Sequence, residues 1–286
     1  MDDRQLLSII CPVIGAQACA DDCAIITRMK GTIVVSTDML HEKTDFPHGI
    51  SDWQIGWMAM AVTISDIAAM GAAPRALTLA IGLDREDRLE GIVKGAQACC
   101  TAFGATYAGG DLDSHPELTL VSTGIGEVED GRPVERRGAR PGDLIGVTGI
   151  QGRAMAGLMG DPRYWTDLCE PQPRVAEGII LRKAGVTAMM DISDGLAISL
   201  YDIAAESHVG MEISSGRIPL PPEADVQVAL EAALYGGGDF ELLFFISEEK
   251  MKNLTIPVTQ IGRVSEGLKI TMDGMELPKK GYLHHW

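Results

Sequence analysis

The chain has 286 residues, 46% hydrophobic and 22% charged, so it can bury one large core or two ordinary ones. Its net charge of −16 argues against a nucleic-acid partner, because contacts to phosphate groups require clustered Lys and Arg. The sequence contains no apolar run long enough for a membrane span and no pattern of a secretory leader, and its six cysteines lack disulfide-like spacing. We therefore expect a cytoplasmic protein with free thiols and no membrane partner.

The first half alternates predicted strands and helices. Two strands, 23–26 and 32–36, flank a turn, with Asp22 before the first and Asp38 after the second. The stretch Ser51-Asp52-Trp53-Gln54 has the form of a capping box and begins an apolar helix that contains Asp66 and ends near Gly71. A strand at 76–83, an amphipathic helix at 85–103, a strand at 105–108 and a strand at 118–128 complete this half.

A basic segment rich in proline and glycine, 136–142, predicts the domain boundary, dividing the chain into 1–137 and 138–286. The second half is also mixed. Strands are expected at 143–148, 186–192, 241–246, 258–264 and 268–272, with helices after Gly152 and at 175–184 and 226–234. A further helix is expected to begin at Ser193 or Asp194, which would place Asp194 in its first turn.

Several acidic residues lie among glycine, alanine and β-branched residues rather than among polar ones. They are Asp22, Asp38, Asp66, Asp111, Asp191, Asp194 and Asp239. A buried carboxylate is costly unless it is paired or binds a metal ion, and oxygen ligands of this kind suit Mg²⁺ or Mn²⁺. An acid paired with an arginine, or an ordinary helix cap at Asp194, is the simpler reading of each residue alone.

The whole set favours metal-dependent chemistry on a phosphorylated ligand, because magnesium can bridge carboxylates and anionic phosphates. Arg136 or Arg137 could add a cationic contact to such a ligand. The sequence contains no P-loop, no Gly-x-Ser-x-Gly motif and no histidine spacing typical of zinc.

Six ordered motifs resemble those of the aminoimidazole-ribonucleotide-synthetase superfamily and, within it, the thiamine-monophosphate kinases. They are Asp21-Asp22-Cys23-Ala24, Ser36-Thr37-Asp38, the segment 61–71, Gly109-Gly110-Asp111, Asp191-Ile192-Ser193-Asp194-Gly195-Leu196 and Gly236-Gly237-Gly238-Asp239-Phe240-Glu241-Leu242. The segment Pro171-Gln172-Pro173-Arg174 and the tail from Gly281 to Trp286 are similar to the same family.

The resemblance implies a two-domain α/β fold of the α+β type, a homodimer in which strands of both N-terminal domains close a barrel, and a C-terminal domain that completes the active site. It implies direct transfer of the γ-phosphate of ATP to thiamine monophosphate, giving thiamine diphosphate, with several Mg²⁺ ions and no single catalytic base. The positions matching magnesium ligands are Asp22, Ser36, Thr37, Asp38, Asp66, Asp111, Asp191 and Asp194, among which Asp38, Asp66 and Asp191 are expected to matter most.

Matching ATP contacts are Gly110, Asp111, Arg136 and Ser193, with Phe103 where the family has an aromatic reaching the neighbouring chain's nucleotide. The implied substrate positions are Asp45, Gly238 and Tyr282, the last matching an aromatic that covers the thiamine ring.

Three substitutions depart from the family pattern. Asp45 replaces a histidine, Gly238 replaces a glutamate, and Gly152-Arg153-Ala154 replaces a Gly-Asp-Ser turn. An ATP-dependent superfamily enzyme that acts on another small molecule, or a nucleotide-binding protein without turnover, is therefore the alternative.

Overall fold

The computed structural model describes residues 21, 23–27, 31–222 and 224–283, with backbone alone at 24–27. Its first half contains one five-stranded sheet of order β1-β2-β5-β3-β4. All neighbouring strands are antiparallel except β3 and β4, which are parallel. The strands are β1 Ala24–Thr27, β2 Thr32–His41, β3 Ala73–Leu83, β4 Thr106–Ser114 and β5 Thr119–Val128, and the helices are α1 Asp52–Ala69 and α2 Leu89–Ala102, the latter preceded by a 3-10 turn at Glu86–Arg88.

The second half contains a seven-stranded sheet of order β12-β11-β8-β10-β6-β9-β7. Its strands are β6 Leu144–Val147, β7 Ala188–Ile192, β8 Gly210–Ile213, β9 Glu241–Ile246, β10 Thr259–Ser265, β11 Ile270–Met272 and β12 Met275–Glu276. Its helices are α3 Arg153–Leu158, α4 Trp165–Cys169, α5 Val175–Ala184, α6 Leu196–Ser207, α7 Val226–Tyr235 and α8 Glu248–Met251, with 3-10 turns at Pro162–Tyr164 and Ser215–Arg217.

Helix α1 is the central element of the molecule. The predicted capping box forms: Gln54 N donates to Ser51 Oγ at 3.2 Å, and Ser51 N donates to Gln54 Oε1 at 3.1 Å. Residues on every side of this helix are buried, because one side packs on α2 and the first sheet while another contacts α5 and β7 of the second half.

The contact between α1 and α5 is close enough to require a glycine. A Cβ atom on Gly178 would lie 2.2 Å from the carbonyl oxygen of Ala68. Nearby, Arg182 Nε donates to the carbonyl oxygen of Gly71 at 2.9 Å. The two halves therefore share one packed interface along α1.

The fold confirms the predicted mixed α/β class and corrects several element boundaries, among them those of β2 and α6. Strand β2 continues to His41, so Asp38 lies within the strand rather than after it. Helix α6 begins at Leu196, so Asp194 precedes the helix rather than lying in its first turn. The physical reason is Gly195, whose φ of 105° is incompatible with a helix. No helix in the described ranges has the length and apolar character needed to cross a membrane.

Candidate active site

Strand β2 and helix α1 face each other through two matched polar pairs. Ser36 and Asp38 are two residues apart on the strand and therefore point to the same face, toward the helix. Ser36 Oγ donates to Asp66 Oδ2, and Thr63 Oγ1 donates to Asp38 Oδ2 at 2.6 Å. Since Thr63 and Asp66 lie one helical turn apart, the two carboxylates are presented side by side between the strand and the helix.

A second hydroxyl supports the orientation of Asp38. The Oγ of Ser122, on β5, lies 2.5 Å from Thr63 Oγ1, and both residues are buried. Because the Thr63 hydroxyl has one proton and gives it to Asp38, Ser122 donates its own proton to Thr63. These two consecutive hydrogen bonds, from Ser122 to Thr63 and from Thr63 to Asp38, orient the Asp38 carboxylate.

The third carboxylate, Asp191, comes from the second half of the chain. It lies near the end of β7 and is only 2% exposed. Ser65 Oγ, on α1, donates to Asp191 Oδ2 at 2.6 Å. The same helical turn that contacts β2 therefore also contacts β7, and the predicted residues Asp38, Asp66 and Asp191 surround one end of α1.

The loop after β7, which contains Ser193 and Asp194, is held from two sides. Gly238 N donates to the carbonyl oxygen of Ser193 at 2.7 Å. Tyr282 N donates to the carbonyl oxygen of Asp194 at 2.9 Å, and the ring of Tyr282 is partly exposed. The structure thus brings Ser193, Asp194, Gly238 and Tyr282, predicted separately from distant segments, to one place beside β7.

Two predicted magnesium ligands lie on the other face of the first sheet. Thr37 alternates with Ser36 along β2, and its Oγ1 lies 3.0 Å from Thr123 Oγ1. Asp111, on β4, pairs with Ala80 in the row of the sheet that also contains the exposed Met39. Within the described chain, Thr37 and Asp111 are not grouped with Asp38 and Asp66.

The remaining predicted contacts lie at the periphery. Gly110 forms part of the exposed edge strand β4, where a Cβ would lie 1.8 Å from the carbonyl oxygen of Leu79. Phe103 follows α2 and makes an edge contact with Trp57, with ring centroids 6.1 Å apart. Arg136 N donates to Asp21 Oδ1 at 2.8 Å.

Asp45 closes a turn, and Asp22 lies outside the described residues. The Oδ2 atom of Asp45 accepts from His41 N and from Thr44 Oγ1, each at 2.8 Å. The Asp45 carboxylate therefore stabilises this turn, which gives the aspartate at position 45 a structural role.

Sequence reasoning missed the hydroxyl donors Thr63, Ser65 and Ser122. The available signal was the placement of two hydroxyl residues within one turn before Asp66 on a helix otherwise apolar at that point. Their partners depend on the phase of the helix against two different sheets, which the sequence does not reveal.

A second group of buried polar side chains lies around the start of β9. Glu241, at the start of β9, accepts from Arg174 Nε at 2.6 Å and from Thr148 Oγ1 at 2.6 Å. Burial raises the pKa of Asp239 to about 6, although its carboxylate accepts hydrogen bonds from the backbone N–H groups of Gly152 and Ala154.

Arg153 lies at the edge of this cluster and pairs with Asp167 at 2.9 Å. A cavity of about 40 Å³ lies between these groups, which fits a water molecule. Arg153 is therefore engaged within the protein rather than fully solvated.

The oxygen-only donors around α1 fit Mg²⁺. In the residues that the structure describes, no three or more His, Cys, Asp or Glu side chains are grouped closely enough to hold a metal ion by themselves. Magnesium characteristically binds through one or two carboxylates and completes its octahedron with water and substrate phosphates. Asp38, Asp66 and Asp191, each of which accepts a hydrogen bond from a hydroxyl, are oxygen donors of the kind that could supply those one or two carboxylates.

Comparison with known proteins identifies the class of fold. Residues 20–128 match the family model described as AIR synthase related protein, N-terminal domain. A solved structure, AaThiL complexed with AMPPCP and TMP, is 27% identical with a TM-score of 0.92, covering 99% of this chain and 97% of that one. The chain therefore contains an AIR-synthase-related N-terminal domain and shares the fold of the AaThiL structure over nearly its whole length.

Two curated relatives define the family more narrowly. The thiamine-monophosphate kinase of Methanospirillum hungatei is 77% identical over 286 residues, covering 100% of both chains. That of Halobacterium salinarum is 38% identical over 297 aligned positions, covering 99% of this chain and 100% of the relative. The chain belongs to the thiamine-monophosphate kinase family.

Proposed function

We propose that this protein is an ATP-dependent phosphotransferase that converts thiamine monophosphate to thiamine diphosphate. The observation that carries the proposal is one turn of α1 whose residues hold or present carboxylates of both halves of the chain, in a protein 77% identical to a named thiamine-monophosphate kinase. The solved relative with bound AMPPCP and TMP supports ATP and thiamine monophosphate as the two substrates.

The residues of this site would bind and orient the two substrates, and none of them would itself attack the γ-phosphorus. An oxygen of the thiamine monophosphate phosphate forms a bond to the γ-phosphorus of ATP, and the bond from that phosphorus to the bridging oxygen breaks, releasing ADP. Such a transfer depends on alignment and on neutralising phosphate charge. Bound Mg²⁺ supplies that neutralisation, and Asp38, Asp66 and Asp191 would hold it.

The other predicted ligands stay part of the proposal. Asp194 and Ser193 would act from the loop after β7, while Ser36 positions Asp66 through its hydrogen bond. Asp22, Thr37 and Asp111 belong to the set implied by family resemblance. Thr37 and Asp111 face the open side of the first sheet, where a second copy of the chain would approach.

At the substrate end, we propose that Tyr282 covers the thiamine ring. Its backbone is fixed to Asp194, and its partly exposed ring lies beside the loop that would approach the phosphate. Gly238 has a φ of 95°, a conformation that a glutamate would adopt only with strain. We therefore expect Gly238 to contribute to the substrate site through its backbone rather than through a side chain.

A homodimer, a cytoplasmic location and a domain boundary at 137/138 complete the proposal. The dimer is supported by Met39 and Ile125, which are exposed apolar side chains on the outer face of the first sheet. The cytoplasmic location is supported by Cys99, Cys100 and Cys169, which are buried free thiols. The boundary is supported by the chain order, because residues 129–143 connect the last strand of the first sheet to the first strand of the second.

The test is a transfer assay with purified protein, ATP, Mg²⁺ and thiamine monophosphate. We expect thiamine diphosphate and ADP in equal amounts. The matched control replaces thiamine monophosphate with unphosphorylated thiamine, which lacks the accepting phosphate. Tight ATP binding without thiamine diphosphate would contradict the proposal and favour another substrate or a protein without turnover.

A further inference from the structure

One hydrogen bond joins helix α1 of the first half to a carboxylate of the second half through a residue with no assigned role. Ser65 is fully buried in α1, and its Oγ donates to Asp191 Oδ2 across the interface between the halves. The distance of 2.6 Å is typical of a hydroxyl donating to an ionised carboxylate.

The position of Ser65 on the helix explains its reach. Thr63 and Ser65 are two residues apart, so they point to different sides of α1. Thr63 contacts Asp38 on β2, whereas Ser65 contacts Asp191 on β7. A single turn of α1 therefore sets the orientation of carboxylates that belong to two different sheets.

This hydrogen bond is not needed to hold the halves together. Gly178 contacts the backbone of α1 at Ala68, and Arg182 binds the carbonyl oxygen of Gly71, both one to two turns beyond Ser65. Since backbone contacts fix the interface independently, the hydroxyl of Ser65 is left to act on the orientation of Asp191.

We propose that Ser65 is a positioning residue, which holds the Asp191 carboxylate of the second half in register with Asp38 and Asp66 of the first. The inference rests on the proposed function and deepens it, because it names the group that couples the two halves at the metal-binding carboxylates. Partners that orient a metal-binding residue typically change metal affinity or activity by about 10- to 100-fold when removed.

The discriminating measurement is divalent-ion affinity without turnover. Mn²⁺ binding is followed by electron paramagnetic resonance in the full-length protein with AMPPCP, which cannot transfer its terminal phosphate. The variants are Ser65→Ala, Asp191→Asn and the double substitution. Alanine is the best helix former, so Ser65→Ala keeps α1 intact. Ser65→Cys replaces the hydroxyl with a thiol, a weaker donor, and is a second variant for the same double-mutant cycle with Asp191→Asn.

The matched control is Ser199→Ala. Ser199 is also a buried helical serine, but its hydroxyl donates to a backbone carbonyl, that of Gly195 immediately before the same helix, and not to a carboxylate. We expect Ser199→Ala to bind Mn²⁺ as the wild type does. A loss of affinity in Ser65→Ala but not in Ser199→Ala would follow from the carboxylate partner and not from the loss of a buried hydroxyl.

We expect Ser65→Ala to weaken Mn²⁺ binding by about 10- to 100-fold, and to lower kcat more than it raises KM for thiamine monophosphate. In the Asp191→Asn background, the Ser65→Ala substitution should add little further loss, because its effect passes through Asp191. Wild-type Mn²⁺ affinity in both Ser65 variants, or an equal loss in the presence and absence of Asp191, would overturn the inference. Failure of the wild type to form thiamine diphosphate would instead contradict the proposed function, and the Mn²⁺ cycle can be read without it.

Discussion

Glu241 illustrates how a single buried charge is accommodated beside the candidate site. Its side chain is almost fully enclosed, and it is balanced by the Arg174 guanidinium and the Thr148 hydroxyl. Desolvation by burial lowers the pKa of Arg174, but the hydrogen bond to Glu241 and the charges of nearby acids together outweigh it, so that the pKa is raised. The pair thereby anchors the segment before α5 to the first residue of β9.

We predict that Arg174→Met lowers the free energy of unfolding by about 3 kcal/mol, because removing one partner leaves the other charge buried without compensation. Urea denaturation followed by circular dichroism measures the change. The control is Lys252→Met, which removes an exposed pair with Glu248 and should cost less than about 1 kcal/mol. Equal stability losses in the two variants would contradict the special role of the buried pair.

For single residues, the sequence predicted the carboxylates of the site better than the hydroxyl groups that donate hydrogen bonds to them. The apolar neighbours of Asp38, Asp66 and Asp191 marked them as functional because buried carboxylates need a reason. Thr63 and Ser65 carried no comparable mark, since a buried hydroxyl in a helix is ordinary. Their roles depend on tertiary contacts between residues up to 126 positions apart.

Among the elements, the first sheet has an outer face that is partly exposed in the described part of the chain. Its inner face packs on α1, whereas the outer face exposes Met39 (62%) and Ile125 (41%). Apolar side chains grouped on an open sheet favour association with another surface. This is the face on which Thr37 and Asp111 lie, so association there would complete the set of predicted ligands.

We predict that Met39→Glu shifts the protein from dimer to monomer, because a charge on this face would be buried unpaired at a two-fold interface. Sedimentation equilibrium distinguishes the 30.6 kDa chain from its dimer. The control is Leu268→Glu, a substitution of an equally exposed apolar residue on the second half. A wild-type monomer, or a Met39→Glu dimer as stable as the wild type, would refute the interface.

Element boundaries were predictable where local chemistry determines them. Helix α1 begins at its capping box, as Ser51 and Gln54 indicate, because that motif satisfies backbone groups locally. Strand β4 was predicted too short: it extends to Ser114 through its pairing with β3, and the glycines within it gave no local signal for that extension. The order of both sheets likewise depends on contacts between distant strands.

At the scale of the whole molecule, both halves of the chain contribute carboxylates beside the same turn of α1. A chain of net charge −16 with carboxylates around α1 would repel ATP unless divalent cations intervene. The turn containing Thr63, Ser65 and Asp66 contacts both sheets, and it provides a fixed point at which such cations would be shared. The central claim is that these carboxylates serve phosphate transfer rather than folding.

The most direct test follows γ-³²P from ATP into thiamine diphosphate in the wild type and in Asp38→Asn. Asparagine keeps the size of the side chain and an oxygen acceptor for Thr63 but removes the charge. We expect label in thiamine diphosphate from the wild type, a loss of at least about 100-fold in Asp38→Asn, and an unchanged urea midpoint within experimental error. Full transfer by Asp38→Asn, or loss of transfer only through unfolding, would contradict the account.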